Sequence, residues 1–453
     1  MIAAAPAARS DLRGWLWLAG AALAVGTVIA ADYWRDSRDG AAERQAPLDP
    51  AELRAGLGAP TFADALANAE REIAGARANL EGHPGEWLRM EQLARALFTR
   101  HRLTGDPADL AEADRILERA VELAPWPAGP VLSRAAVSLA AHDLGAAEQA
   151  LDRFDASANP PPAAELADAL SMRCEIAYQR GLLAEARGSC GDSGELSLAL
   201  RRANLAAKTG NTTEAARLIE DQLRRPGHSP QAVATLALQR ASVALAEGDW
   251  QDSGRWARGA ERLFPGYWLS EAYVAQQYAL EGNREEARRR YRDLAARTGN
   301  PDALDALARL ADADGRDEEA RRWAGQAGAA WRERSRLLPL AYAAHYAEHL
   351  LLRGDRREAL DLAAADYRRR PHPAAIVHYA YALWRSGEPE RALAVVRAGE
   401  AKGFLTADMK LAEGLALGAL GRAPEAGEAM AQARRLNPRI DSFRQQFVAF
   451  GRD

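Results

Sequence analysis

"LAEGLALGALGRAPEAGEAMAQARRLNP", residues 411–438, places a small residue at Gly414, a glycine seven positions on at Gly421, an alanine five beyond it at Ala426, then Ala433 and Pro438. Gly421 separates two runs with helical spacing of apolar residues, so the stretch reads as helix, turn, helix. The same frame recurs upstream, with the turn glycine and following alanine at Gly181/Ala186, Gly210/Ala215, Gly282/Ala287, Gly315/Ala320, Gly354/Ala359 and Gly387/Ala392. Gly248/Ser253 and His142/Ala147 are degenerate members. Successive turns are 39, 29, 38, 34, 33, 39, 33 and 34 residues apart, a period near 34.

Seven residues before each turn stands Ala135, Cys174, Ala203, Ala241, Ala275, Ala308, Ala347, Ala380 or Gly414. A small side chain is needed wherever two antiparallel helices approach closely, because a larger one would force them apart. Apolar residues surround these slots at helical spacing, as with Ile376, Tyr379, Ala380 and Leu383 before one turn and Ala392 and Val396 after it. One such hairpin cannot bury its own apolar face. The units must therefore stack into a continuous solenoid.

With "GDRREA" at 354, "GEPERA" at 387, "GNREEA" at 282 and the small/Gly, Gly, Ala, Ala, Pro progression of 411–438, the chain resembles the tetratricopeptide repeat (TPR) family. The resemblance spans residues 86–438 and implies an all-α, right-handed superhelical solenoid of about nine or ten antiparallel helix pairs. It also implies that first helices line a concave groove that takes up protein segments. Residues 61–85 read as an N-terminal capping helical region and 439–453 as a C-terminal capping helix, with Phe443, Phe447 and Phe450 covering the last hairpin.

Ahead of the repeats, "GWLWLAGAALAVGTVIAA", residues 14–31, contains no charge and as a helix would span about 27 Å, enough for a bilayer core. A tail over 1–13, this transmembrane helix and a polar linker over 32–60 make a bacterial inner-membrane single-pass anchor, and Arg9 and Arg13 beside the amino terminus favour a periplasmic body. Two alternatives stand beside it: a secretory signal cleaved after "VIA" at 28–30, which would release a soluble periplasmic binding protein, and a buried soluble helix. A net charge of −4 gives no basic excess for nucleic acid.

The sequence H-x-x-E-H at His345, Glu348 and His349 matches the order of ligands and glutamate in one class of zinc peptidase, which makes a zinc-dependent hydrolase a further alternative. However, His345 and His378 each lie nine residues before a turn glycine, so the repeat itself accounts for them as a ladder. G-x-S-x-G, phosphate-binding loop and C-x-x-C signatures are absent, so no catalytic, metal or cofactor residues are assigned, and no small-molecule substrate is expected. The groove positions six before each turn include Asn204, Ser242, Gln276, Arg309, Glu348, Tyr381 and Leu415. With His378, Trp384 and Arg385 from "IVHYAYALWR", they make a surface suited to a protein or peptide partner. Cys174 fills a small-residue slot and Cys190 falls nine beyond Gly181, so the hairpin sets them at similar heights on facing helices, where a disulfide is feasible. Two buried reduced cysteines are the other reading. The sequence therefore leads to a non-enzymatic, membrane-anchored scaffold or assembly factor.

Overall fold

The computed structural model describes residues 48–157 and 160–451. Residues 14–31 and the linker up to 47 lie outside the described residues; among the described residues no helix is long and apolar enough to cross a membrane. A single helix, α1 (Phe62–Gly82), precedes ten hairpins. The first five are α2 (Trp87–Thr104) with α3 (Pro107–Leu123), α4 (Val131–Ala140) with α5 (Leu144–Asp155), α6 (Ala163–Gln179) with α7 (Leu183–Cys190), α8 (Leu196–Lys208) with α9 (Thr212–Leu223), and α10 (Pro230–Ala246) with α11 (Trp250–Leu263). The remaining five are α12 (Trp268–Glu281) with α13 (Arg284–Thr298), α14 (Pro301–Ala313) with α15 (Asp317–Leu337), α16 (Pro339–Arg353) with α17 (Arg356–Arg369), α18 (Pro373–Arg385) with α19 (Pro389–Ala401), and α20 (Ala407–Ala419) with α21 (Ala423–Leu436). The fold is a TPR-like solenoid of paired antiparallel helices.

Each part of the sequence frame has a physical task. At the turn, Gly282 sits at φ 97°, in the left-handed region where a side chain is strained, and Asn283 N–H reaches back to the Tyr278 carbonyl at 2.8 Å to close the first helix. The polar residue after the glycine then caps the second helix: Asn283 Oδ1 accepts from Glu286 N–H, and Asp249 Oδ1 from Asp252 N–H. Even the degenerate turn keeps this backbone, with His142 at φ 59°. Gly354 departs from it at φ −131°; there Asp355 caps two amides, those of Arg357 and Glu358. The small slots are fully packed, Ala135, Ala241, Ala275 and Ala347 being wholly buried, and a Cβ at Gly414 would stand 2.8 Å from Met430 Sδ.

The solenoid also touches itself. Trp268 Nε1 donates to the Leu103 carbonyl (2.8 Å), Arg370 to Gln179 Oε1 (3.2 Å), Leu405 N–H to the Lys208 carbonyl (3.0 Å) and Asn437 Nδ2 to the Leu245 carbonyl (3.3 Å). Each bond joins elements about five hairpins apart. Successive superhelical turns are thus in contact, and the Tyr178 and Phe404 rings, centroids 6.1 Å apart, seal part of that seam.

Two expectations are corrected here. Residues 50–58, assigned to the linker, are not a spacer but lie on the α10–α11 side of the stack. Leu53 is buried, Arg262 donates to the Pro50 carbonyl at 2.6 Å, and Gly56 N–H bonds the His228 carbonyl at 2.6 Å. The capping α-helix expected over 439–453 is not formed by its described residues, 439–451. Phe443–Phe447 is a single 3-10 stretch, after which the described residues, up to 451, are non-helical; Phe443 is exposed while Phe447 and Phe450 are buried. The last hairpin is covered instead by Ile440, which packs with Ala407 and Ala433. The segment has no need of an α-helix, because side chains of earlier hairpins satisfy its backbone.

Candidate functional site

That backbone capture defines the site. Gln276, on α12, is 1% exposed, and its Oε1 accepts from Ala449 N–H (2.6 Å) and Phe450 N–H (2.8 Å) while its Nε2 donates to the Phe450 carbonyl (3.1 Å). One amide side chain thereby holds three main-chain atoms. On α14, Arg309 donates to the carbonyls of Gln446 (3.4 Å) and Val448 (3.3 Å) and also to Glu348 Oε1 (3.2 Å). The Phe450 ring lies against Tyr273 and Tyr291, both centroids 6.3 Å away. Tyr291 is fully buried, and burial pushes its phenol far above the usual tyrosine range. Ser242, on α10, faces the next residue: a Cβ on Gly451 would meet its Oγ at 2.9 Å.

Ser242, Gln276, Arg309 and Glu348, four of the positions six before a turn, therefore form one row along α10, α12, α14 and α16. His378 on α18 extends it, with Nε2 3.9 Å from Glu348 Oε2. Further along α18, Tyr381 and Trp384 are half-buried with ring centroids 5.2 Å apart. Asn204 on α8 and Arg385 in the last turn of α18 are also half-buried. Tyr273 carries no expectation from the sequence, and Phe450, expected to cover the last hairpin, lies instead against Tyr273 and Tyr291. A signal existed for the first, since Tyr273 stands nine before Gly282, the place His345 and His378 hold in their own hairpins.

The H-x-x-E-H triplet is taken apart by its surroundings. His349 Nδ1 is bonded to Asp305 Oδ1 at 2.8 Å, and Trp331 Nε1 donates to the other oxygen of Asp305 at 2.8 Å. His345 lies flat on Trp331 at 5.4 Å, and Glu348 is engaged by Arg309. Among the described residues no group of three or more His, Cys, Asp or Glu is placed to hold a metal ion. His345 and His349 are thus held in packing against α14 and α15, while Glu348 belongs to the row.

Asp302, at the start of α14, lines a small cavity together with Asp305, His345 and Glu348. Burial pushes its carboxyl up to about 6, with the charges of Asp305 and Glu348 adding to the rise and His345 opposing it. The folded chain thus holds a proton that the unfolded chain releases near pH 4, so the stability cost of ionising Asp302 is absent below that pH and fully present above 6. Asp302→Asn should remove this cost. After allowance for partial solvent screening, we expect a gain of about 1 to 2 kcal/mol at pH 7.5 and almost none at pH 4, read as slower hydrogen exchange in α14. An equal gain at both pH values would show that ionisation is not its source.

No protein-family model matches the chain, and no curated protein sequence matches it. Solved structures that align with it include tetratricopeptide repeat proteins. A tetratricopeptide repeat protein from Parabacteroides merdae is 14% identical over 56% of this chain and 98% of its own, with a TM-score of 0.34. The yeast Tom70 structure is 14% identical over 84% and 94%, TM-score 0.32. A Rap protein complexed with competence and sporulation factor is 12% identical over 68% and 96%, TM-score 0.40. At such scores the fold assignment rests on this chain's own helices, turns and packing.

Proposed function

We propose that the protein is a non-enzymatic scaffold that takes up extended segments of partner proteins along the row from Ser242 to Tyr381, and that residues 14–31 hold it in the bacterial inner membrane with the solenoid in the periplasm. The observation that carries the reading is the Gln276 side chain, which satisfies three main-chain atoms of a non-helical segment. A groove that bonds to backbone and offers aromatic walls recognises a peptide by its extended form first and by a few side chains second.

A photo-crosslinking residue in place of Tyr381 or His378, in the native host, should give one discrete protein adduct. The same residue in place of Arg289, on the outer face of α13, should give none. Adducts at Arg289 as strong as those at Tyr381 would remove the groove from consideration. In the same cells the chain should stay with membranes through a high-salt wash, since insertion of an apolar helix is not reversed by screening charge.

A further inference from the structure

We propose that residues 444–450 are a displaceable stand-in ligand, and that the groove over α10, α12 and α14 takes in their place an extended segment of another protein carrying an apolar residue two positions before an aromatic one. The inference rests on the groove reading above and names the chemistry of its partner. The pattern is that of Val448 and Phe450, which are buried in the site while their backbones are held by Arg309 and Gln276. The segment runs past the row in order, with Val448 at Arg309, Phe450 at Gln276 and Gly451 at Ser242.

Three features separate this segment from a fixed part of the core. First, Gln276 and Arg309 bond only to its main-chain atoms, so any extended chain offers them the same partners. Second, the segment belongs to no hairpin, and Phe443, the residue just before it, is 66% exposed. Third, it covers only part of the row: His378 and Tyr381 on α18 lie beyond its polar contacts, where a longer segment would continue. An empty groove is disfavoured, because Val448, Phe450 and the Tyr273 and Tyr291 rings against which Phe450 packs would then be left to water. Exchange must therefore be a competition, in which the chain's own segment scales the apparent affinity for the incoming one down to the fraction of time the groove stands free.

The test uses a fluorescent peptide of residues 443–453, FRQQFVAFGRD, against the full chain and against its Val448→Ala/Phe450→Ala variant, whose groove is intact but whose own segment is weakened. The variant should bind the peptide at least about 10-fold more tightly than the unaltered chain. A peptide with Ala in place of the last Phe should bind about 10-fold more weakly than the parent peptide. Equal binding to the two proteins, equal binding of a scrambled peptide, or no binding to a variant with native helical circular dichroism would overturn the proposal. Should the variant lose helicity, the unaltered chain decides. There the amides of Ala449 and Phe450 should exchange faster than the core amides of α12, and faster still with excess peptide. Protection equal to that of α12, unmoved by peptide, marks the segment as a fixed part of the fold and overturns the proposal. A crosslink at Tyr381 that persists in that case would leave the scaffold reading standing alone.

Discussion

Trp331→Ala should cost about 3 to 5 kcal/mol of local stability, the range for emptying a buried aromatic site. Trp331 is 2% exposed and is packed between the seventh and eighth hairpins, with the His345 ring 5.4 Å away and the Tyr342 ring 6.3 Å away. Its Nε1 also supplies one of the two hydrogen bonds seen at Asp305. The alanine variant therefore combines a cavity with a buried carboxylate short of a donor. Trp331→Phe separates the two, since it keeps most of the packing and loses the donor, and should cost about 1 to 3 kcal/mol. Hydrogen exchange across α14 to α16 is the suitable measurement, because a stack of repeats can open one section at a time and a single melting temperature would average over them. Equal losses from the two variants would mean that the bond to Asp305, not the ring's volume, holds this section. A loss below about 1 kcal/mol from the alanine variant would contradict the packing itself.

The parts of this fold that were legible in the sequence are those fixed within one hairpin. The glycine at φ 97°, the capping Asn283 and the wholly buried Ala275 are each dictated by contacts within one hairpin, so a repeated sequence frame records them directly. The row Ser242, Gln276, Arg309, Glu348 was equally readable, because a fixed offset from the turn is a fixed direction on a helix. Contacts between superhelical turns were not. Trp268 reaches Leu103 across 165 residues only after the small rotations of five hairpins have accumulated, and the irregular spacings of 29, 38 and 39 change those rotations in ways no local pattern states. Arg153 shows the same limit: it is buried and donates to the carbonyls of Val121, Ala124 and Pro127, which nothing near it in the sequence announces. The terminal segment was misread for a related reason. Three phenylalanines at helical spacing looked like a cap, while the groove that redirects them is built from α10, α12 and α14.

Reduction of the Cys174–Cys190 disulfide should destabilise the third hairpin by about 3 kcal/mol, the chain-entropy value for closing a loop of fifteen intervening residues. Their Cα atoms are 5.2 Å apart, within the range a disulfide spans, and both residues are almost fully buried. The bond acts on the shortest of the described α-helices. Helix α7 is only 8 residues long, Cys190 is its last residue, and the next turn glycine, Gly210, follows Gly181 after 29 residues. A helix of that length has little stability of its own, and fixing its end to α6 keeps it in register with its partner. Exchange in α6 and α7 should therefore rise about 100-fold in Cys174→Ala/Cys190→Ala or under reductant, while α18 to α21 change little; 3 kcal/mol corresponds to roughly that factor. The alanine pair retains small residues at both positions, so a strong effect measures the bond and not the loss of volume. Native chain isolated with its thiols blocked should carry no alkyl group on either cysteine. Two alkylated cysteines together with unchanged exchange in α7 would identify them as packing residues in a reducing compartment, and would count against a periplasmic solenoid as well.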